Sequence, residues 1–128
     1  MKPHSKPKPD RRAVTRDSSY HRLFALKAAE EAERVLSIFE QTQPGDERPR
    51  QAIEAIRAWA LGKRELGMAE VRKLALACHA AAREAKSEAA TFAARAAGHA
   101  VATWHVPTHA MAVPAYAWKA RFAKKAKR

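Results

Sequence analysis

A single cysteine, Cys78, stands in 128 residues, so no disulfide can form within the chain. The glycines number only four and are scattered, which excludes a glycine-rich loop of the kind that cradles phosphates. Aromatic residues make up 7% of the chain, and much of its 47% hydrophobic content is alanine. Alanine forms helices readily but fills little space, a composition that points to closely approaching helices. No stretch reads as a membrane span, because the most apolar one, residues 87–106, carries Glu88, Arg95, His99 and His105 among its alanines. The first residues lack the apolar run of a secretory signal. These absences lead us to expect a soluble, reduced, cytoplasmic chain of one domain that buries a core without disulfides or metal.

Acidic residues are also in short supply, and the formal net charge is +12. Its distribution matters more than its size. Residues 1–16 carry six cations against one acid, and residues 119–128 carry six cations and no acid, leaving a residual +1 for everything between. Any attraction to nucleic acid would therefore come from the two ends, and such ends also serve simply as solvated tails.

The stretch Ser87–Val106 organises the rest. At helical spacing Ala89, Ala93, Ala96, Ala97, Ala100 and Trp104 form one apolar stripe, and Ala90, Phe92, Ala94, Val101 and Ala102 fill most of the remainder. A helix apolar on nearly every side must sit inside something. Its polar residues Glu88, Thr91, Arg95, His99 and Thr103 fall on one line at steps of three or four. Arg95 and His99 must then meet partners or open onto a groove, because an unpaired buried charge is costly.

Taken in order, residues 1–16 mix proline with charge and predict an extended arm. Asp17, Ser18 or Ser19 caps a first helix reaching Glu40, with Phe24, Ala28, Val35 and Phe39 inward and Glu30, Glu31, Glu33 and Glu40 facing solvent. Pro44-Gly45 is a turn and Asp46 a cap for a second helix that Gly62 stops, with Pro49 holding Arg48 out of the helical region. A third helix shows the stripe Val71, Leu74, Ala75, Cys78, Ala82 and Ala85, and Ser87 caps the fourth. Pro107 ends or bends that helix, and Thr108 caps a fifth in which Met111, Ala115, Trp118 and Phe122 are spaced for burial, with Pro114 marking a kink or the true start. The expected fold class is all-α, a single bundle of about five helices with antiparallel neighbours over residues 17–120, followed by a basic fraying tail at 121–128.

Chemistry is hard to place on this pattern. Cys78 lies on an apolar stripe and reads as an inert thiol, and paired carboxylates are absent from the apolar helices. His79, His99, His105 and His109 cluster in the second half, yet only His105 and His109 have metal-ligand spacing, Pro107 lies between them and no acid accompanies them. We therefore expect no catalytic residue, no metal and no cofactor. Asp46, Arg48, Arg50 and Arg57 form a richer constellation, with Asp46 placed to tie down Arg48 or Arg50 and with Arg50 and Arg57 seven apart on one face. His79 and Arg83, one turn apart, repeat the pairing of Arg95 and His99.

The run DERPRQAIEAIRAW, then ACHAAAREA, then AARAAGHAVATWHVPTHA and finally AYAWKA is similar to the immunity proteins of bacterial polymorphic toxin systems, in the domain family likened to the fifth immunity group. The resemblance covers roughly residues 45–120. It implies a small, all-helical, cytoplasmic protein that binds and neutralises a cognate toxin, and it matches Asp46, Arg48, Pro49, Arg50, Trp59, His79, Arg83, His99, His105, His109, Tyr116 and Lys119 to the family pattern. Pro114 and the basic arms depart from it. The expected function is toxin occlusion by a preformed face drawn from Asp46, Arg48, Arg50, Arg57, His79, Arg83, Arg95, His99, His105 and His109; the alternative is a nucleic-acid-associated module that uses the arms.

Overall fold

The computed structural model describes residues 18–123, which form five α-helices and one 3-10 segment with no strand among them. Helix α1 spans Ser19–Thr42, α2 Arg48–Ala60, α3 Met68–Glu84 and α4 Glu88–Ala102. The 3-10 segment Pro107–Met111 then leads into α5, Val113–Phe122. The arm 1–16 and residues 124–128 of the tail lie outside the described residues, and α5 takes in Arg121 and Phe122. Among the described residues no helix is long and apolar enough to cross a membrane.

The bundle is built on α4, which packs against all four other helices and the 3-10 segment. Its buried residues are Ala90, Ala93, Ala94, Ala96, Ala97, Gly98, Ala100 and Val101. Side chains this small let helix axes approach closely on several sides at once. Bulk comes from the wrapping helices: Phe39 of α1 and Ile53, Ile56 and Trp59 of α2 are no more than 2% exposed. Arg22 of α1 lies 4.4 Å over the Trp59 ring and donates to the Trp59 carbonyl, tying α1 to α2.

Caps fall where short polar side chains meet free backbone donors. Ser18 Oγ accepts from the His21 N–H and Ser87 Oγ from the Ala90 N–H, each at 3.1 Å. Gly62 ends α2 at φ +73°, a conformation that favours glycine, with its N–H bonded to the Trp59 carbonyl. Asp46 behaves differently from the expected cap. The residue before α2 is Glu47, which makes no side-chain cap bond, while Asp46 Oδ1 accepts from the Arg48 N–H at 3.2 Å and clasps the Arg48 guanidinium. Arg48 is itself the first helical residue, because Pro49 at the second position still leaves that first turn intact.

Two further expectations change at the C-terminal end. Helix α4 stops at Ala102, before Pro107, in tight turns that run from Thr103 N–H to Val106 N–H, and Val106 takes the extended conformation (φ −129°, ψ 105°) that a following proline demands. Thr108 caps nothing, since Pro107–Met111 is a 3-10 segment without a side-chain cap and Pro114 marks the start of α5. That segment resets the helical phase. Val113, Ala117 and Ala120 turn inward, and Met111, Trp118 and Phe122, expected in the core, are 55%, 61% and 66% exposed.

Because α4 has no spare room, Ala97→Leu should destabilise the protein by about 1–3 kcal/mol through overpacking, and Ser87→Ala by about 1 kcal/mol through loss of the cap. Urea denaturation reads both, and an Ala97→Leu variant as stable as the parent would contradict the packing described.

Candidate functional site

The polar line on α4 does meet partners, and they come from three other elements. His79 of α3 lies against Gly98 of α4: a Cβ added at Gly98 would fall 3.0 Å from His79 Cε1 and 3.1 Å from Nε2. With the ring seated there, Arg95 Nη1 donates to His79 Nδ1 at 2.7 Å. A guanidinium has no lone pair to offer, so His79 is the acceptor and is a neutral imidazole with its proton on Nε2. His99, one turn along α4, sits edge-on to His79 with ring centroids 5.6 Å apart. Its Nδ1 is 3.0 Å from Nδ1 of His109 in the 3-10 segment, and its ring stacks on Tyr116 of α5 at 5.0 Å and 15°. Lys119 of α5 completes the row, its Nζ 5.4 Å from the Tyr116 centroid and 5.6 Å from that of Phe92.

This row carries cations and neutral rings. Burial pulls the His99 pKa down to about 4, helped by His109, His79 and Arg95. Burial also lowers His79, followed by the charges of Arg95, Arg83 and His109, and lowers His109, followed by His105. The His99–His109 bond needs one Nδ1–H facing one lone pair, so two fully protonated rings cannot keep it. Among the described residues no carboxylate pairs with Arg83, Arg95 or Lys119.

The arginines of α2 are used otherwise. Arg50 grips Glu40 of α1 through two hydrogen bonds of 2.7 and 2.6 Å, and Arg57 pairs with Glu33. Arg48 bridges Asp46 at 2.7 Å and Glu84 of α3 at 2.8 Å. Hydrogen bonds from these guanidinium groups hold Glu40, Asp46 and Glu84 below their ordinary carboxylate values. Of the sequence-derived candidates, then, His79, Arg95, His99 and His109 come together, and Arg83 is exposed one turn beyond His79. Arg50 and Arg57 go to α1, where Glu33 and Glu40 had read as solvated acids. His105 is exposed and lines a small apolar hollow with Met68, Val71 and Leu76.

Sequence reasoning passed over Gly98 and His21. His21 is 1% exposed, its Nε2 2.7 Å from the Thr103 carbonyl and its ring edge-on to Trp59 at 4.8 Å. A signal was present, since residue 21 begins the inward row 21, 25, 28, 32, 35, 39 of α1.

Cys78 is buried and its thiol is pushed up to about 12 by that burial, which makes it unreactive. No group of three or more His, Cys, Asp or Glu among the described residues is placed to hold a metal ion. A cavity of about 440 Å³ lies elsewhere, floored by Phe24, Ala28, Ala110, Met111 and Pro114 and rimmed by Glu30 and Glu31. It shares no residue with the histidine row.

Acid should find this row first. Its imidazoles titrate below the ordinary 6.5 in the folded state, so the unfolded chain binds their protons more readily. Their stabilisation is complete above about pH 6.5 and is lost as pH falls toward 4, whereas the contributions of Glu40, Asp46 and Glu84 fail only below their ordinary values of 4.5, 3.8 and 4.5. The urea midpoint should therefore drop between pH 7 and pH 5, and His99→Gln should remove part of that drop; identical midpoints would contradict the assignment. Gly98→Val should displace His79 and cost about 1–3 kcal/mol by overpacking.

Compared with known families, the chain matches the family described as Imm-5 like putative immunity protein over residues 15–128, a longer span than the 45–120 that carries the resemblance. Neither the curated proteins nor the solved structures contain a match to it. The match takes in nearly the whole sequence and every helix described above, and the chain belongs to the Imm-5 like immunity protein family.

Proposed function

We propose that this chain binds a cognate bacterial toxin and neutralises it by occlusion, with no chemistry of its own. Family membership supports an immunity role. The observation that carries the binding mode is the row running from Arg83 through His79, Arg95 and His99 to Tyr116 and Lys119, whose cations form no ion pair among the described residues. It is set by helix packing before any partner arrives, so little ordering entropy is left to lose on binding. Next to Lys119 on α5, Trp118 and Phe122 pack on each other at 4.9 Å while remaining exposed. Arginine with tryptophan and tyrosine is the composition of binding hot spots. A buried, high-pKa thiol and imidazoles occupied with one another support the non-catalytic half of the reading.

Within this reading, His79, Arg83, Arg95, His99 and His109 belong to the contact face, and Asp46, Arg48, Arg50 and Arg57 hold α2 against α1 and α3. Co-expression with the protein it captures in stoichiometric amount from source cells tests the proposal. Growth should be arrested by that protein alone and restored beside this chain, and Arg83→Glu with Lys119→Glu should weaken the complex at least tenfold, on the order of 1.4 kcal/mol or more. Full rescue and unchanged affinity in the double variant would reject the face; absence of any rescue would reject the function.

A further inference from the structure

The cations of this molecule are allocated unevenly. Arg34, Arg48, Arg50, Arg57 and Arg64 each pair with a carboxylate. Arg95 is half-buried, and the one hydrogen bond recorded for it goes to a neutral imidazole. Arg83 and Lys119 lie along the same row and add positive charge; His79 meets Arg95 from α3 and His99 feels its charge one turn along α4, while His109 and Tyr116 meet His99 from the 3-10 segment and α5. None of the ion pairs among the described residues involves Arg95. A guanidinium withdrawn from water and denied a counter-charge is expensive, and the fold keeps it there with four of its N–H donors uncommitted in any recorded bond.

We propose that Arg95 is the seat of a carboxylate from the partner, an Asp or Glu side chain on the toxin's contact surface, gripped by the guanidinium beside His79. The proposal rests on the immunity reading and deepens it by giving the partner's surface a chemistry. The planar fork of an arginine matches a carboxylate with two parallel hydrogen bonds. An anion there also cancels the repulsion between Arg95 and any proton on His79 Nδ1, 2.7 Å away. A carboxylate held by the other guanidinium N–H groups replaces the Arg95–His79 bond, and His79, once protonated, donates its Nδ1–H to the carboxylate instead of accepting from Arg95. Binding is therefore linked to proton uptake on His79 and His99, whose imidazoles titrate below 6.5 in the free protein, and it strengthens as pH falls from 6.5 toward 4.

The test uses the full-length chain, a hexaglutamate peptide as probe and the histidine Cε1–H signals in NMR pH titrations, with inorganic phosphate as a parallel arm. The basic terminal segments will also attract a polyanion, so the readout is confined to His79, His99 and His109, and His4 reports the N-terminal segment separately. Hexaglutamate should raise the apparent pKa of His79 and His99 by about half a unit or more. Arg95→Gln should abolish that rise; should this variant fail to fold, Arg95→Lys, which keeps the charge but not the fork, should cut it by more than half. Unmoved titrations, a rise that survives loss of the fork, or an equal rise with phosphate would each overturn the seat. Failure here with growth rescue intact would leave the immunity reading standing, and a histidine response without rescue would do the reverse.

Discussion

Everything in this fold follows from how near other helices can come to α4. A helix whose buried positions are alanine, glycine and one valine presents almost no side-chain relief, so its neighbours pack against near-backbone. At Gly98 the approach is tight: the His79 ring and the Cys78 Cβ occupy the volume that any side chain would claim. That contact fixes His79, which fixes Arg95, and the His99–His109–Tyr116 stack continues the same line across three elements. A row of polar groups is thereby held by packing between helices rather than by a loop.

Electrostatics divides the molecule into two kinds of surface. On α1, α2 and the two ends of α3, guanidinium groups meet carboxylates, and each exposed pair contributes no more than about 1 kcal/mol while orienting one helix on the next. Along α3, α4 and α5 the positive groups meet imidazoles and aromatic rings instead. The imidazoles stay neutral because they are half-buried beside one another and beside Arg95, so the face is polar and hydrogen-bonded yet still lacks a counter-charge. Such a surface is stable alone and better matched when an acidic partner covers it.

Much of this was legible in the sequence. Alanine richness and all-round apolarity put α4 at the centre, and Ser87, Gly62 and Pro44-Gly45 marked boundaries through local backbone chemistry. The polar line of Thr91, Arg95, His99 and Thr103 was readable as a face, but its partners were not, because crossing angles decide which residue of a neighbouring helix arrives opposite. For the same reason Arg50 and Arg57 looked available when Glu40 and Glu33 on α1 were waiting for them. The phase of α5 was lost at Pro107, where a 3-10 segment replaced the expected first turn and rotated Trp118 and Phe122 outward. His21 escaped because a histidine inside an alanine row looks like an exception until the Thr103 carbonyl, left free at the end of α4, is seen to be its partner.

The most direct measurement is side-chain oxidative footprinting of the chain with and without its toxin. The account predicts that Tyr116, His109 and His79 lose reactivity together in the complex while Tyr20 and Phe24 of α1 keep theirs. Protection confined to α1 and α2, with Tyr116 and His79 as reactive as in the free protein, would contradict it.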